Sequence, residues 1–294
     1  MDSTRGVAVN PEVSDESSSG GPSQSGSQPP RGASSRSAKS GTARRWLLAG
    51  LPALTFAVLL VAWWAAVKIG RIPEYLLPAP ENVLPRIVDD GSLMWRHGLV
   101  TVQEIAIGFV LTIVSAIPIG LLLALSPMAK RAFYPLIVFI QLIPKIAVAP
   151  LLLVWFGFGI ESKILLVVLL TFFPLLLASM AGFGILDKRL LYLTCSMGAS
   201  TWQTFRFLRF PSALPVIFSG LKTSATIAAT AAIVAEFVGA NRGLGYLLLQ
   251  GTSRLDTELI FAILLILTLI GLALNYIVEF AEYLMTPWQR GSDK

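Results

Sequence analysis

Two ionisable side chains stand inside long apolar runs of this 294-residue chain: Lys145, which follows Pro144, and Glu236, near the end of a run that starts at residue 212. Burying either in lipid costs several kcal/mol unless it faces a wet cavity or a partner, so both are candidates for a transport pathway or its gate. Each also has a structural reading. Lys145 snorkels or satisfies backbone carbonyls freed beside Pro144, and Glu236 lies within a turn of the end of its run. Lys222 reads as a snorkelling residue, and Glu104 has the same structural option. A lone Cys195 and a lone His97 leave neither a disulfide pair nor a metal-ligand set. His97 reads as a solvated loop residue and Cys195 as a packing residue. Around Lys222 the sequence GLKTS lacks the glycine that a phosphate-binding loop places before its lysine, and no G-x-S-x-G turn presents a nucleophile. The chain is therefore expected to be no enzyme, to bind no ATP by itself and to carry no cofactor.

The elements that position these residues are set by composition. The chain is 54% hydrophobic and 14% charged, with a mean hydropathy of +0.71. A soluble domain carries about 25% charged residues, so this is a membrane protein. Its net charge of +6 comes from residues that flank apolar runs instead of forming a stripe, which argues against a nucleic-acid partner. Residues 1–43 are rich in Ser, Gly, Pro and Gln and read as a disordered tail. Arg44-Arg45 followed by an apolar run looks like an export signal, but the length of the run and the further spans favour a signal anchor.

Six spans are expected within a membrane domain of residues 44–288: 46–69, 99–125, 132–156, 164–186, 212–238 and 259–281. Each has the roughly 20 apolar residues that cross a bilayer. The third contains Pro135, Pro144 and Pro150, and a span so broken usually lines a cavity. Val83, Ile87, Leu93 and Trp95 suggest short amphipathic helices at the interface, and residues 239–258 read as a Gly-rich connector. Trp63, Trp64, Trp155 and Tyr246 fall where interfacial belts are expected. The small residues of LKTSATIAATAAIVA allow close helix packing or line a polar path. Lys130, Arg131, Lys188, Arg189, Arg206 and Arg209 crowd the short loops of one side, which makes that side cytoplasmic, with both termini and the C-terminal tail 289–294.

Between spans four and five lies an anomaly, a basic and partly polar island over residues 187–220. Within it Phe205 and Leu208 share one helical stripe and Arg206 and Arg209 another. The island reads as two short helices broken at Met197-Gly198-Ala199, on the cytoplasmic side.

At this island MGASTWQTFRFLRFPSALPVIFSGLK resembles the cytoplasmic EAA loop of permeases from binding-protein-dependent ATP-binding-cassette importers. The matching positions are Gly198, Leu208, Arg209, Phe210 and Pro211, while Tyr192, Leu193 and Thr194 stand where the pattern has Glu-Ala-Ala. PKIAVAPLLLVWFGFGIESK, EFVGANRGLGYLLLQ and LDTELIFAIL extend the similarity over residues 46–288, in the nitrate, sulfonate and taurine branch. The details look closer to permeases for pyrimidine vitamin precursors or riboflavin.

The resemblance implies an all-α membrane fold of six transmembrane helices per subunit, with a coupling helix pair at 187–210. It implies two permease copies, two copies of a cytoplasmic ATPase, and an extracytoplasmic binding protein that delivers a small solute. That solute is a nitrate-, sulfonate- or taurine-type anion, or a pyrimidine-precursor or riboflavin-like heterocycle. Ser196, Gly198, Ala199, Ser200, Thr201, Trp202, Phe205 and Arg206 would form the ATPase contact. Trp202 and Phe205 either fill the partner's groove or pack on the permease itself. The rival reading is a secondary transporter with no ATPase, which would want inverted repeats and paired intramembrane acids. No convincing repeat relates residues 46–125 to 212–278.

Overall fold

The structure, a computed structural model, describes residues 38–288. The regular elements of the described residues are all helices: α1 (Ala38–Gly70), α2 (Pro80–Asp89), α3 (Gly91–Leu125), α4 (Pro127–Leu142), α5 (Ala149–Phe156), α6 (Ile160–Gly184), α7 (Lys188–Ser196), α8 (Thr201–Thr204), α9 (Phe210–Gly239), α10 (Leu244–Arg254) and α11 (Thr257–Met285). Among the described residues five helices are long and apolar enough to cross a membrane, six if α4 and the segment Lys145–Phe156, bent by 78°, form one span. The tail expected over 1–43 lies outside the described residues as far as residue 37, and α1 begins at Ala38.

The centre is a three-helix layer of α3, α6 and α9. Ala116, Val167, Leu175, Leu176, Ala213 and Ala225 are buried in one cluster there. Small residues allow the approach: a Cβ built on Gly120 would lie 2.5 Å from that of Ser179. Hydroxyls then join the helices where no water competes. Thr112 and Thr171 share a 2.6 Å hydrogen bond, and Ser224 Oγ donates to the Thr171 carbonyl at 3.0 Å. The outward sides of α1, α3 and α11 expose Leu59, Val114, Leu122, Ile277 and Phe280, as a lipid-facing surface requires.

Proline chemistry shapes the irregular parts. Ile143, ahead of Pro144, is extended at ψ 131° and ends α4, as a residue before proline prefers. A 3₁₀ turn (Lys145–Val148) follows. Further on, Pro211 offers no N–H to the Phe207 carbonyl and its ring crowds that oxygen, so the chain widens into a π-helical turn over Phe205–Arg209.

Several expectations need correction. α3 starts at Gly91, eight residues before the expected span, so His97 sits on a helix and is half-buried instead of lying in a solvated loop. The connector 239–258 contains α10. It is buried by apolar contacts, since Leu244 and Leu247 join Val83, Met94 and Ile263 in a second core that ties α2, α3, α10 and α11 together. Cys195, expected to be a packing residue, is exposed. Lys222 does more than snorkel: its Nζ pairs with Glu282 of α11 at 2.6 Å.

Candidate functional site

One end of the bundle carries the island. Asp187 caps α7 by accepting from the Arg189 N–H at 2.9 Å. After Ser196 the chain must reverse, and Gly198 does so at φ +73°, a left-handed conformation that costs glycine little. The N–H of Gly198 reaches the Cys195 carbonyl and that of Ala199 the Thr194 carbonyl, both at 3.0 Å. This pairing closes a helix C-terminus on its own orphan carbonyls. Ser200 and Gln203 then cap α8 reciprocally: the Gln203 carboxamide accepts from the Ser200 N–H at 2.8 Å, and the Ser200 hydroxyl from the Gln203 N–H at 3.2 Å. Ser200-x-x-Gln203 is a sequence signal for this helix start that motif reading overlooked.

Among the proposed contact residues, Trp202 is 65% exposed while Phe205 is half-buried. Phe205 stacks on Phe183 at 6.3 Å and meets Phe210 at 6.0 Å, and Trp202 stacks on Phe205 at 5.7 Å. Phe205 is thus a pedestal set in the bundle and Trp202 the part that projects. Ser196, Gly198, Ser200, Thr201 and Arg206 are exposed and Ala199 is half-buried. Tyr192, Met197 and Phe207 add exposed apolar surface to the same end. A cleft of about 590 Å³ beside them is lined by Leu121, Leu125, Leu191, Cys195, Trp202 and Phe205.

Lys145 and Glu236 fall in two separate environments. Lys145 Nζ donates to the Gln141 carbonyl at 2.8 Å, a group freed by the break at Pro144, and lies 5.1 Å from the centre of the Phe173 ring. Glu236 is fully buried at the end of the bundle opposite the island. Its carboxyl accepts from the Thr101 hydroxyl at 2.6 Å and from the Gly245 N–H. The Thr101 hydroxyl in turn accepts from the Leu244 N–H at 2.9 Å, and His97 Nδ1 accepts from the Gly243 N–H at 3.0 Å. Next to Glu236, the equally buried Glu104 pairs with Lys163 at 3.2 Å. No local pattern singles out Lys163 or Thr101, because their partners lie 59 and 135 positions away.

The same end holds a cleft of about 730 Å³ lined by Arg96, His97, Asn241, Arg242, Tyr246 and Gln250. Tyr246 faces this cleft, stacked on His97 at 6.0 Å, where a place in a lipid-interface belt was expected. Around it α2 makes a polar clasp. Arg86 pairs with Asp256 at 2.7 Å, Asn82 donates to Glu258 at 3.1 Å, and Glu81 receives Lys68 at 2.5 Å and the Trp64 indole at 3.2 Å. The Lys68 and Trp64 hydrogen bonds hold the Glu81 carboxyl below the usual carboxylate range.

Residues 116–291 match the family model described as the binding-protein-dependent transport system inner membrane component. The formylaminopyrimidine transport permease ThiX of Halalkalibacterium halodurans is 37% identical over 240 residues, 81% of this chain and 96% of that protein. The taurine transport permease TauC of Escherichia coli is 29% identical over 241 residues, 80% of this chain and 88% of that protein. A chain of the inward-facing MetNI methionine ABC transporter superposes with a TM-score of 0.52 at 21% identity, covering 64% of this chain and 95% of that one, which supports the fold. A self-sufficient secondary transporter is thereby set aside. The chain belongs to the binding-protein-dependent inner-membrane transport components: it is a multi-pass importer permease, not itself catalytic, that works with a separate ATPase and a binding protein.

Proposed function

We propose that residues 187–210 are the coupling element of this importer, lying on the cytoplasmic side with both termini and docking into a groove on the ATPase. The observation that carries this is the α7–Gly198–α8 pair, whose ends are closed by their own hydrogen bonds and whose Trp202 projects from the Phe205 pedestal. A large aromatic at low conformational cost, backed by rigid packing, is the usual anchor of a protein interface. Two permease copies form the pathway and two ATPase copies drive it. Closure of the ATPases draws the two islands together and turns the pathway outward, and hydrolysis returns it inward. The loaded binding protein must prefer one of these states, because a ligand shifts an equilibrium only by differential affinity.

The solute is a small molecule of the class carried by the relatives, either a taurine-, nitrate- or sulfonate-type anion or a pyrimidine-precursor or riboflavin-like heterocycle. The higher identity to ThiX than to TauC favours the heterocycle. Lys145 and Glu236 serve the pathway through its framework: Lys145 steadies the break in the third span, and Glu236 anchors the segment that leads into α10.

Co-purification tests the coupling role. Trp202→Ala leaves the permease folded and lowers ATPase capture by about tenfold, the effect of losing a hot-spot aromatic worth about 1.4 kcal/mol or more. Gly198→Arg abolishes uptake. Undiminished capture by Trp202→Ala together with intact uptake by Gly198→Arg would sink the assignment.

A further inference from the structure

The cleft of about 730 Å³ at the end opposite the island has the size of a small-molecule site. Its lining is of two kinds. Arg96 and Arg242 bring two guanidinium groups, and among the described residues no carboxylate forms an ion pair with either. Both lie near enough to His97 to act on it electrostatically. Among the described residues Arg96 is tied back only through Nε, which donates to the Ser92 carbonyl at 3.2 Å, so the rest of its donor fork remains for another acceptor. The buried acid Glu236 has its oxygens taken by the Thr101 hydroxyl and the Gly245 N–H.

The second kind is a fixed aromatic wall. His97 is held through Nδ1 by Gly243, Tyr246 stacks on it, and Gln250 Nε2 donates to the Tyr246 hydroxyl at 2.6 Å. The lining also includes the apolar Leu93 and Leu247. Rigid ring faces and apolar contacts suit a flat ring, and paired guanidinium forks suit a phosphate, sulfonate or carboxylate in a bidentate mode.

We infer that this cleft is a binding site for a small organic anion in which a planar ring carries a phosphate, sulfonate or carboxylate group. Such a site would hold the solute at the mouth of the permease, which rests on the importer reading above. Binding itself belongs to this chain alone. A permease that binds the anion yet captures no ATPase would refute the coupling role and leave the site standing, and the reverse result would do the opposite.

The test uses the full chain in nanodiscs of phosphatidylcholine, with flavin fluorescence anisotropy as the readout. FMN carries a ring and a phosphate, riboflavin the same ring without the anion, and inorganic phosphate the anion without the ring. Saturable FMN binding is expected, with riboflavin weaker by about tenfold or more and excess inorganic phosphate competing. Arg242→Gln and Arg96→Gln each weaken FMN by about tenfold and leave riboflavin unchanged, Tyr246→Leu weakens both flavins, and Lys130→Gln weakens neither. Monodisperse elution of each variant separates lost binding from lost fold. Absence of saturable FMN binding overturns the inference, as does equal affinity for the two flavins or indifference to both arginine substitutions. Loss of FMN binding when phosphatidylglycerol replaces phosphatidylcholine assigns the cleft to lipid headgroups and overturns it too.

Discussion

The two ends of the bundle are held in opposite ways. At the island nearly every polar bond is local: Asp187 to Arg189, Ser200 to Gln203, Ser196 to Tyr192, Thr194 to Leu190. The unit is closed on itself and joins the bundle through apolar and aromatic contacts, chiefly Phe205 on Phe183 and Phe210. At the other end the bonds span the sequence. Thr101 reaches Glu236, His97 reaches Gly243, and Arg86 reaches Asp256, across 135, 146 and 170 positions. A locally closed unit moves as one body with few bonds to break, whereas the opposite end resists motion until buried polar bonds are exchanged together. This difference suits an element that transmits a push at one end and a segment that keeps its shape at the other.

The largest effect should come from the buried charges. Lys163→Met leaves the carboxyl groups of Glu104 and Glu236 buried without their base, and breaking a buried pair from one side costs about 3–5 kcal/mol. Little monodisperse protein is expected from that variant. Adding Glu104→Leu removes the stranded acid and restores folded yield, since replacing a whole buried pair with apolar groups is often neutral. Size-exclusion profiles of the single and double variants check this. A Lys163→Met protein as well behaved as the parent would mean that the pair does not hold this end together.

A smaller contrast compares one hydroxyl at each end. Thr101→Val strips a donor from Glu236 and an acceptor from the Leu244 N–H, both buried, and costs about 1–3 kcal/mol. Ser200→Ala removes an exposed cap and costs about 1 kcal/mol, confined to α8. Thermal unfolding in detergent should show a clear fall in midpoint for Thr101→Val and a slight one for Ser200→Ala. Equal shifts would erase the distinction between the two ends.

The same contrast explains what the sequence made legible. The six apolar runs, the broken third span and the island were readable because each is a local pattern of hydropathy, proline or glycine. The turn at Gly198 was readable for the same reason, and its neighbour Ser200-x-x-Gln203 was there to be read. The Glu236 hub was half visible. A lone acid in an apolar run announces itself, but its partners Thr101 and Gly245 arrive through tertiary packing and leave no periodic trace. α10 was hidden because GANRGLGYLLLQGTSR opens with turn-forming residues, and its helix is secured by burial of Leu244 and Leu247 more than by propensity. His97 went the same way. Eight residues of polar helix ahead of a span look like loop until α2 and α10 are packed against them.

The smallest effect tests the outermost bonds of the strapped end. Glu81 is exposed, and its carboxyl is held below its ordinary range by Lys68 and Trp64. A lowered folded-state pKa means that the clasp between α1 and α2 is stabilising above the unfolded carboxylate value of about 4.3 and is lost as the pH falls through the lower folded value. Unfolding midpoints of the parent should therefore decline slightly on acidification across that window, while Glu81→Gln, which has no proton to gain, loses this share of the decline. Salt should shrink the difference, since screening weakens exposed pairs. The buried Lys163–Glu104 pair should show no such sensitivity, because ions do not reach it. An equal acid decline in Glu81→Gln and the parent would mean that the bonds of Glu81 to Lys68 and Trp64 do not carry the response.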